Sequence, residues 1–426
     1  MIRGKWILRL GVAGLFTLCM ATSVPAWAWW PAPEWQRLYY YWPSEETSDS
    51  APEVVTDRQG NAYVAWNNSF PTSPMPSHGL ERDFSIVKLN PAGDELWRGG
   101  SGGLGDDFAT GVAVDSAGGV AVTGYTDTAL GSVYNADALT KLGADGTLQW
   151  IRRIDTGSHD PGDRFRAHVS ATTGVAISAA GFIYVSGWTT GVVAGVNRGR
   201  EDAFLAKYTA SGDRVWVVQF GTAGNDRALA IATGPAGSIY VAGETEGALF
   251  GERNFGGRDL WIARYNAAGR KLWAKQVGTA GDESAAALTV GSDGFVYVGG
   301  SSTGALFGYP NRGGADAWLA KYNGSGSRLW GRTFGSSGTE IVHGVAAGAA
   351  GEVYIAGSTD GSLFRTNLGS TDAWVARIDS AQRVRAGQFG TVSGDAALAA
   401  ATSTDGLYLS GYQGQEAWIA RYAPQP

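Results

Sequence analysis

Ser292-Asp293-Gly294, Val296-Tyr297-Val298-Gly299-Gly300, a segment opening at Asp316 and running on through Ala317-Trp318-Leu319-Ala320, and then Leu329-Trp330 follow one another within about 40 residues. A glycine turn, a β-branched and aromatic run ending in Gly, a second apolar run and a Trp-marked run read as consecutive strands joined by tight connections. Before the turn lies another short apolar strand, as in Val112-Ala113-Val114 of an earlier copy, so each unit holds four antiparallel strands.

The unit recurs seven times. Its Gly-ending run is also found as Val120-Ala121-Val122-Thr123-Gly124, Ile183-Tyr184-Val185-Ser186-Gly187, Ile239-Tyr240-Val241-Ala242-Gly243, Val353-Tyr354-Ile355-Ala356-Gly357 and Leu407-Tyr408-Leu409-Ser410-Gly411, while Trp66 stands in for the Gly in the first copy. The segments opening at Asp83, Asp137, Asp202, Asp259, Asp316, Asp372 and Glu416 are spaced by 44 to 65 residues, which fits one unit with loops of variable length. Both runs are apolar on both faces, as expected of sheets packed face to face around an axis. Sixty-four glycines and 17 tryptophans suit short aromatic strands and tight turns, and no helical periodicity separates the units.

The fold class is therefore an all-β, seven-bladed propeller of four-stranded antiparallel blades, with hairpins beginning near residues 54, 112, 174, 230, 287, 344 and 398. The last unit reaches Tyr422 without a Trp-marked fourth strand, and residues 35–42, Trp35 to Trp42, have that strand's character. Pairing them would complete the seventh blade and remove an exposed edge. The sixth copy departs from the pattern, with Val384-Arg385 where the others have Leu-Trp or Val-Trp.

At Gly105-Asp106-Asp107, Val112 to Gly124 and Asp202-Ala203-Phe204-Leu205-Ala206-Lys207-Tyr208 the chain resembles the bacterial seven-bladed β-propeller repeat (SBBP repeat) family, over about Val54 to Tyr422. The resemblance implies the propeller architecture and little chemistry, because the family is defined by its repeat.

Arg3, Lys5 and Arg9, an apolar run from Leu10 to about Thr22, and Ala26-Trp27-Ala28 have the layout of a secretory signal peptide cleaved after Ala28, leaving residues 29–426 as one domain. The expectation is an extracytoplasmic protein, periplasmic or secreted. Cys19 lies inside that segment, so the mature part has no thiol for disulfides or metal sites. It carries 30 basic and 39 acidic residues, a net charge of −9, which argues against nucleic acid as a partner. The apolar run is too short to span a membrane. A monomer is expected.

Acidic residues recur ahead of each first strand: Asp106 and Asp107, Asp163, Asp226, Asp282 and Glu283, Glu340, and Asp395. By repeat symmetry they would form a ring near the central channel that Ca²⁺, which takes six to eight oxygens, would suit. The favoured reading has each carboxylate accepting hydrogen bonds from turn amides, since a residue repeated in every blade serves the blade. Asn197, Asn254, Asn311 and Asn367 each precede Gly by two residues and a third-strand Asp by five, which suggests turns with positive φ and local side-chain bonds.

Loops between second and third strands are longer than hairpins need, and three share Leu-Phe: Leu249-Phe250, Leu306-Phe307 and Leu363-Phe364. These read as plugs. Trp188, Arg253, Phe255, Tyr309, Arg312 and Arg365 differ between units and compose a candidate ligand-binding surface. His78, His159, His168 and His343 show no metal-ligand spacing, and no Gly-x-Ser-x-Gly elbow sits on a strand-to-helix turn. The leading expectation is a non-enzymatic binding or scaffolding propeller for a glycan or protein. The alternatives are a polysaccharide hydrolase or lyase with carboxylates at the channel mouth, betrayed by one or two displaced carboxyl groups that break the sevenfold pattern, and a structural part of a surface assembly.

Overall fold

The computed structural model describes residues 30–40, 53–71, 80–101, 107–126, 136–154, 170–404, 406–414 and 416–424. The proposed leader, Asp106, Asp163, His78, His159 and His168 lie outside the described residues.

Seven four-stranded antiparallel sheets form the blades. Their inner strands are Glu53–Thr56, Asp107–Val114, Ser170–Ile177, Asp226–Gly234, Glu283–Val290, Glu340–Ala347 and Asp395–Ser403. The first six outer strands run from Glu95–Ser101 to Val384–Phe389, and the seventh is Trp35–Tyr40, which pairs with Glu416–Tyr422 at the far end of the chain. Long loops and blade-to-blade connections therefore emerge on one face, and the tight hairpin turns on the other.

Inner strands begin about four residues earlier than the apolar pattern suggests. In blades two to seven the pairing with the second strand shifts register at a β-bulge, between Ala228 and Ala230 in blade four and between Ala285 and Ala287 in blade five. The bulge breaks the alternation, so the half-strand before it is invisible to a periodicity of two. It also explains the Gly that ends the second-strand signal: a Cβ at Gly300 would lie 1.8 Å from the Ser284 carbonyl oxygen. The same clash recurs at Gly243, Gly357 and Gly411.

Side chains from neighbouring blades fill the seams. Trp261, Trp318 and Trp374 on the third strands are wholly buried and donate their indole N–H to the carbonyls of Glu244, Ser301 and Ser358 at 2.9 to 3.1 Å. The outer-strand tryptophans act across the seams instead. Trp97, Trp150, Trp216 and Trp273 donate to carbonyls of Ala144, Ala210, Ala267 and Gly324 in the next blade's outer hairpin turn.

Closure uses the same contact. Trp35 donates to the Pro91 carbonyl of blade one at 2.9 Å and meets Tyr408 edge-on, as Trp97 meets Tyr63. The sixth copy's missing Trp also has a physical reason. Blade seven takes its outer strand from the other end of the chain, so it has no outer hairpin turn for a Trp at position 385 to reach. Trp30 takes that space, with edge contacts to Tyr354 and Tyr422.

Gly300→Ala should lower stability by about 1–3 kcal/mol, because the new methyl meets backbone that cannot yield without losing the bulge. Urea unfolding reads this as a lower midpoint at unchanged slope. An unchanged midpoint would contradict the bulge.

Candidate functional site

The recurring acidic residues do not converge. Asp226 sits opposite Thr245 as the first strand residue and accepts bonds from the Thr222 amide, the Thr222 hydroxyl and the Thr245 hydroxyl. Glu283 repeats this with Thr279 and Ser302, and Glu340 with Ser336 and Thr359, at 2.5 to 2.9 Å. Asp395 takes the amide and hydroxyl of Thr391. Asp107 occupies the equivalent buried position opposite Thr126. Asp226, Glu283, Glu340 and Asp395 each tie the connection entering their blade to that blade's own sheet.

The bonds of Asp226, Glu283, Glu340 and Asp395 are those of the turn-amide reading. Among the described residues, no three acidic or histidine side chains come together to hold a metal ion. Burial, and then the neighbouring third-strand carboxylates Asp202 and Asp372, hold Asp226 and Asp395 above the usual carboxylate range. Asp282 differs in standing half-exposed. The Arg258 amide, donating at 2.9 Å, holds its carboxyl below that range.

The Asn-x-Gly loops are corrected in part. Asn197, Asn254, Asn311 and Asn367 accept the amide of the Gly two residues on, and the third-strand aspartates accept loop amides as expected. The four glycines, however, do not have positive φ. They are needed for close approach: a Cβ at Gly199 would lie 2.2 Å from the Thr222 carbonyl oxygen of the connection to the next blade.

Three glutamines lock the same loops from beneath. Gln219, Gln276 and Gln388 each accept a loop amide and donate to both a loop carbonyl and Asp202, Asp259 or Asp372. Leu249 and Leu306 are buried, and Phe250, Phe307 and Phe364 pack edge-on against Trp261, Trp318 and Trp374, as plugs should. The loops are pinned platforms.

On those platforms the six candidate contact residues divide. Phe255 and Tyr309 are 43% and 40% exposed, the Arg253 guanidinium lies 5.2 Å from the Phe255 ring, and Arg312 is exposed. Trp188 is half-buried beneath Arg227, and Arg365 is half-buried with its Nε enclosed. Neither of these two projects freely. Sequence reasoning missed the aliphatic members of the surface, Val192, Val196, Leu368 and Val392, which are all about half exposed or more. It also missed a chain of ion pairs across blades three to five, in which Arg227 pairs with Glu201 and Glu244, and Arg258 with Glu244 and Asp282.

The second feature is the axial channel, a cavity of about 430 Å³ walled by the inner strands. Gly111, Gly174, Ala230, Ala287, Gly344 and Ala399 occupy one register position just past the bulge. Blade one has Glu53 there. Burial pushes its carboxyl up to about 7, against an opposing hydrogen bond from the Val112 amide of blade two. His343 is the bulge residue of blade six, one position earlier, where its ring nitrogen lies 3.0 Å from the Ser358 hydroxyl and burial pulls it down to about 4. Glu53 and His343 are the only titratable side chains among the described residues lining the channel. Aligning the inner strands on their small residue would have exposed Glu53 in the sequence.

Glu53 should cost stability as pH rises from about 4.5 to about 7, since only the folded carboxyl keeps its proton in that window. His343 acts in the opposite sense: the unfolded ring takes a proton below about 6.5 and the folded ring resists until about 4, so stability falls as pH falls between them. In calorimetry across pH, Glu53→Ala should melt above the parent at about pH 8 and with it at about pH 4. His343→Leu, copying Leu229 and Leu398, should flatten the acid limb. Parallel melting curves for either variant and the parent would refute that variant's assignment.

No family model matches the chain. It is 27% identical over 226 residues to a protein of Caulobacter vibrioides called regulatory protein FlaEY; the match takes in 48% of this chain and 24% of that protein, about a quarter of its length. Among solved structures it resembles the WD40 domain of Neurospora crassa Pan2, with 11% identity, a TM-score of 0.51 and coverage of 91% and 94% of the two chains. It also resembles the polysaccharide lyase Uly1, with 8% identity, a TM-score of 0.50 and coverage of 95% and 94%. These likenesses show the propeller fold.

Proposed function

We propose that this chain is an exported binding platform that docks a polypeptide on its long-loop face across blades three to six. The observation that carries the reading is the row of exposed apolar side chains on pinned loops: Val192 and Val196, Phe255, Tyr309, Leu368, and Val392 on the connection into blade seven. Exposed aliphatics mixed with aromatics favour a protein partner, since a sugar face offers few apolar surfaces to aliphatic side chains. The glutamine clamps mean that little loop entropy is lost on binding. Arg253 and Arg312 supply charge at the rim of the patch. The N-terminal layout of charge, apolar run and Ala26-Trp27-Ala28 supports export.

Glu53 has the two properties asked of a catalytic carboxyl, a displaced pKa and a break in the repeat. Glycoside hydrolysis needs a second carboxyl opposite the first, and among the described residues Glu53 is the only acid lining the channel. The binding reading asks for no such partner.

The triple variant Phe255→Ala, Tyr309→Ala and Leu368→Ala should lose capture of extracytoplasmic proteins by at least about tenfold, as expected when central apolar anchors go. Its melting temperature should stay within a few degrees, because all three side chains face solvent. Undiminished capture, or retention of polysaccharide instead of protein on an array, would reject the polypeptide face.

A further inference from the structure

Two pairs of buried aspartates meet at blade joints, Asp202 with Asp226 between blades three and four and Asp372 with Asp395 between blades six and seven. A Cβ at Gly221 would lie 2.2 Å from Asp202 Oδ1 and 3.0 Å from Asp226 Oδ2, so both carboxyls crowd one glycine. Gly390 is crowded in the same way, at 2.3 Å from Asp372 Oδ1 and 3.1 Å from Asp395 Oδ2. The backbone holds each pair together. The Asp226 amide donates to the Glu201 carbonyl at 2.8 Å and the Asp395 amide to the Thr371 carbonyl at 3.0 Å, in each case the residue just ahead of the partner aspartate.

Hydrogen-bond donors do not cover these oxygens. Asp202 takes the Arg198 amide and the Gln219 side chain on Oδ2, while its buried Oδ1, turned to Gly221, has no hydrogen-bond partner. Asp372 Oδ1 has a single 3.3 Å bond from the Leu368 amide, which Oδ2 shares at 3.2 Å. Asp395 Oδ1 is buried without a partner, where Gln413 replaces the hydroxyl residue of blade four. Among the described residues no basic side chain forms an ion pair with any of the four aspartates. Around the first pair, Arg198 donates to the Gln219 carbonyl, Arg227 and Arg258 pair with Glu201, Glu244 and Asp282, and Arg200 and Asn225 attend Glu246. Beside the second, the loop carries Arg365 and Asp360, and Asp360 takes the Thr339 amide.

Two carboxylates buried side by side without a cation repel, and one proton between them removes a charge and turns a bare oxygen into a donor. Burial, and then Asp202 and Asp372, hold Asp226 and Asp395 above the usual carboxylate range, which agrees with that geometry. We propose that each pair holds a single proton between its carboxyls and forms a pH-sensitive latch beneath the long-loop face. The latched backbone is that of the exposed aliphatics. Asp202 accepts the amide of Arg198, two residues after Val196; Asp372 accepts that of Leu368; and Asp395 accepts that of Thr391, next to Val392. Loss of the proton sets two negative charges against each other across a glycine and loosens those amides. Its consequence for docking rests on the polypeptide-face reading, whereas the proton itself does not.

The folded pair keeps a proton that unfolded aspartates, titrating near about 3.9, release. Its stabilisation is therefore complete below that pH and fades as pH rises through the pair's own titration. The test is the double variant Asp202→Asn and Asp372→Asn, since an amide keeps an acceptor for the loop N–H and places a donor where the proton would sit. Infrared difference spectra are taken at about pH 5, where an ordinary aspartate is about nine-tenths ionised. The double variant should lose two equivalents of carboxylic-acid C=O stretch, and each single variant one. The double variant should melt with the parent at about pH 4 and increasingly above it towards about pH 8. At about pH 8 the amides of residues 189–201 and 360–371 should exchange hydrogen several-fold faster in the parent than in the variant. No partner protein enters these measurements, so failure of capture by the long-loop face leaves the latch standing. Loss of carboxylate instead of carboxylic acid in the spectra, a melting difference independent of pH, or equal exchange of both loops would each overturn the proposal.

Discussion

A single backbone event, the bulge in the inner strand, sets the geometry from which the rest of each blade follows. By inserting one residue it drives the preceding carbonyl towards the second strand, so that strand must carry Gly at the point of contact: Gly124, Gly187, Gly243, Gly300, Gly357 and Gly411. Ahead of the bulge the strand starts with an acid opposite a hydroxyl residue, Asp226 with Thr245, Glu283 with Ser302 and Glu340 with Thr359. Those carboxylates then gather the connection from the previous blade. A backbone irregularity thereby becomes the joint between neighbours, and the hydrogen bonds that satisfy a buried charge also fix the spacing of the blades.

Blade one shows what happens when that device is not repeated. Trp66 stands where the glycine would be, its described inner strand is four residues long, and it pairs without a shift. Trp66 stacks on Tyr39 of the closing strand, with ring centres 4.7 Å apart. The seam that joins the two ends of the chain is thus made by aromatic stacking together with the Trp35 bond to Pro91, and the bulge is not used there. Closure by side chains from both ends leaves the outer strand of the last blade with the same neighbours as its six counterparts.

The fold was legible because its signals are periodic and repeated, so seven weak strand patterns reinforced one another. Even the closing strand could be found, since Trp35 carries the mark that the last copy lacks. The inner half-strands were not legible, because a bulge erases alternation locally. The role of the Asn-x-Gly glycines was misread for a related reason: Gly permits both positive φ and close approach, and only coordinates distinguish them. The acids were visible, but a repeated carboxylate looks the same whether it faces a channel or a buried hydroxyl. Leu368 and Val392 escaped notice because single exposed aliphatics are ordinary, and only their shared face gives them meaning.

Repetition also separates structural residues from candidates for recognition. Whatever holds a blade together has to recur, as the acids, the outer-strand tryptophans and the glutamine clamps do. A residue that breaks the repeat without serving the ring is released from that duty. On the long-loop face the breaks are exposed apolar side chains on pinned loops, a geometry that loses little entropy when a surface settles on it. On the axis the break is Glu53, which adds the cost of a confined carboxyl to a wall otherwise built from Gly and Ala at that level. Trp66 and Trp30 depart from the pattern as well, yet each lies at the join between the chain's ends and is accounted for by closure. Glu53 lies at no such join, and no basic side chain among the described residues lining the channel offsets its burial.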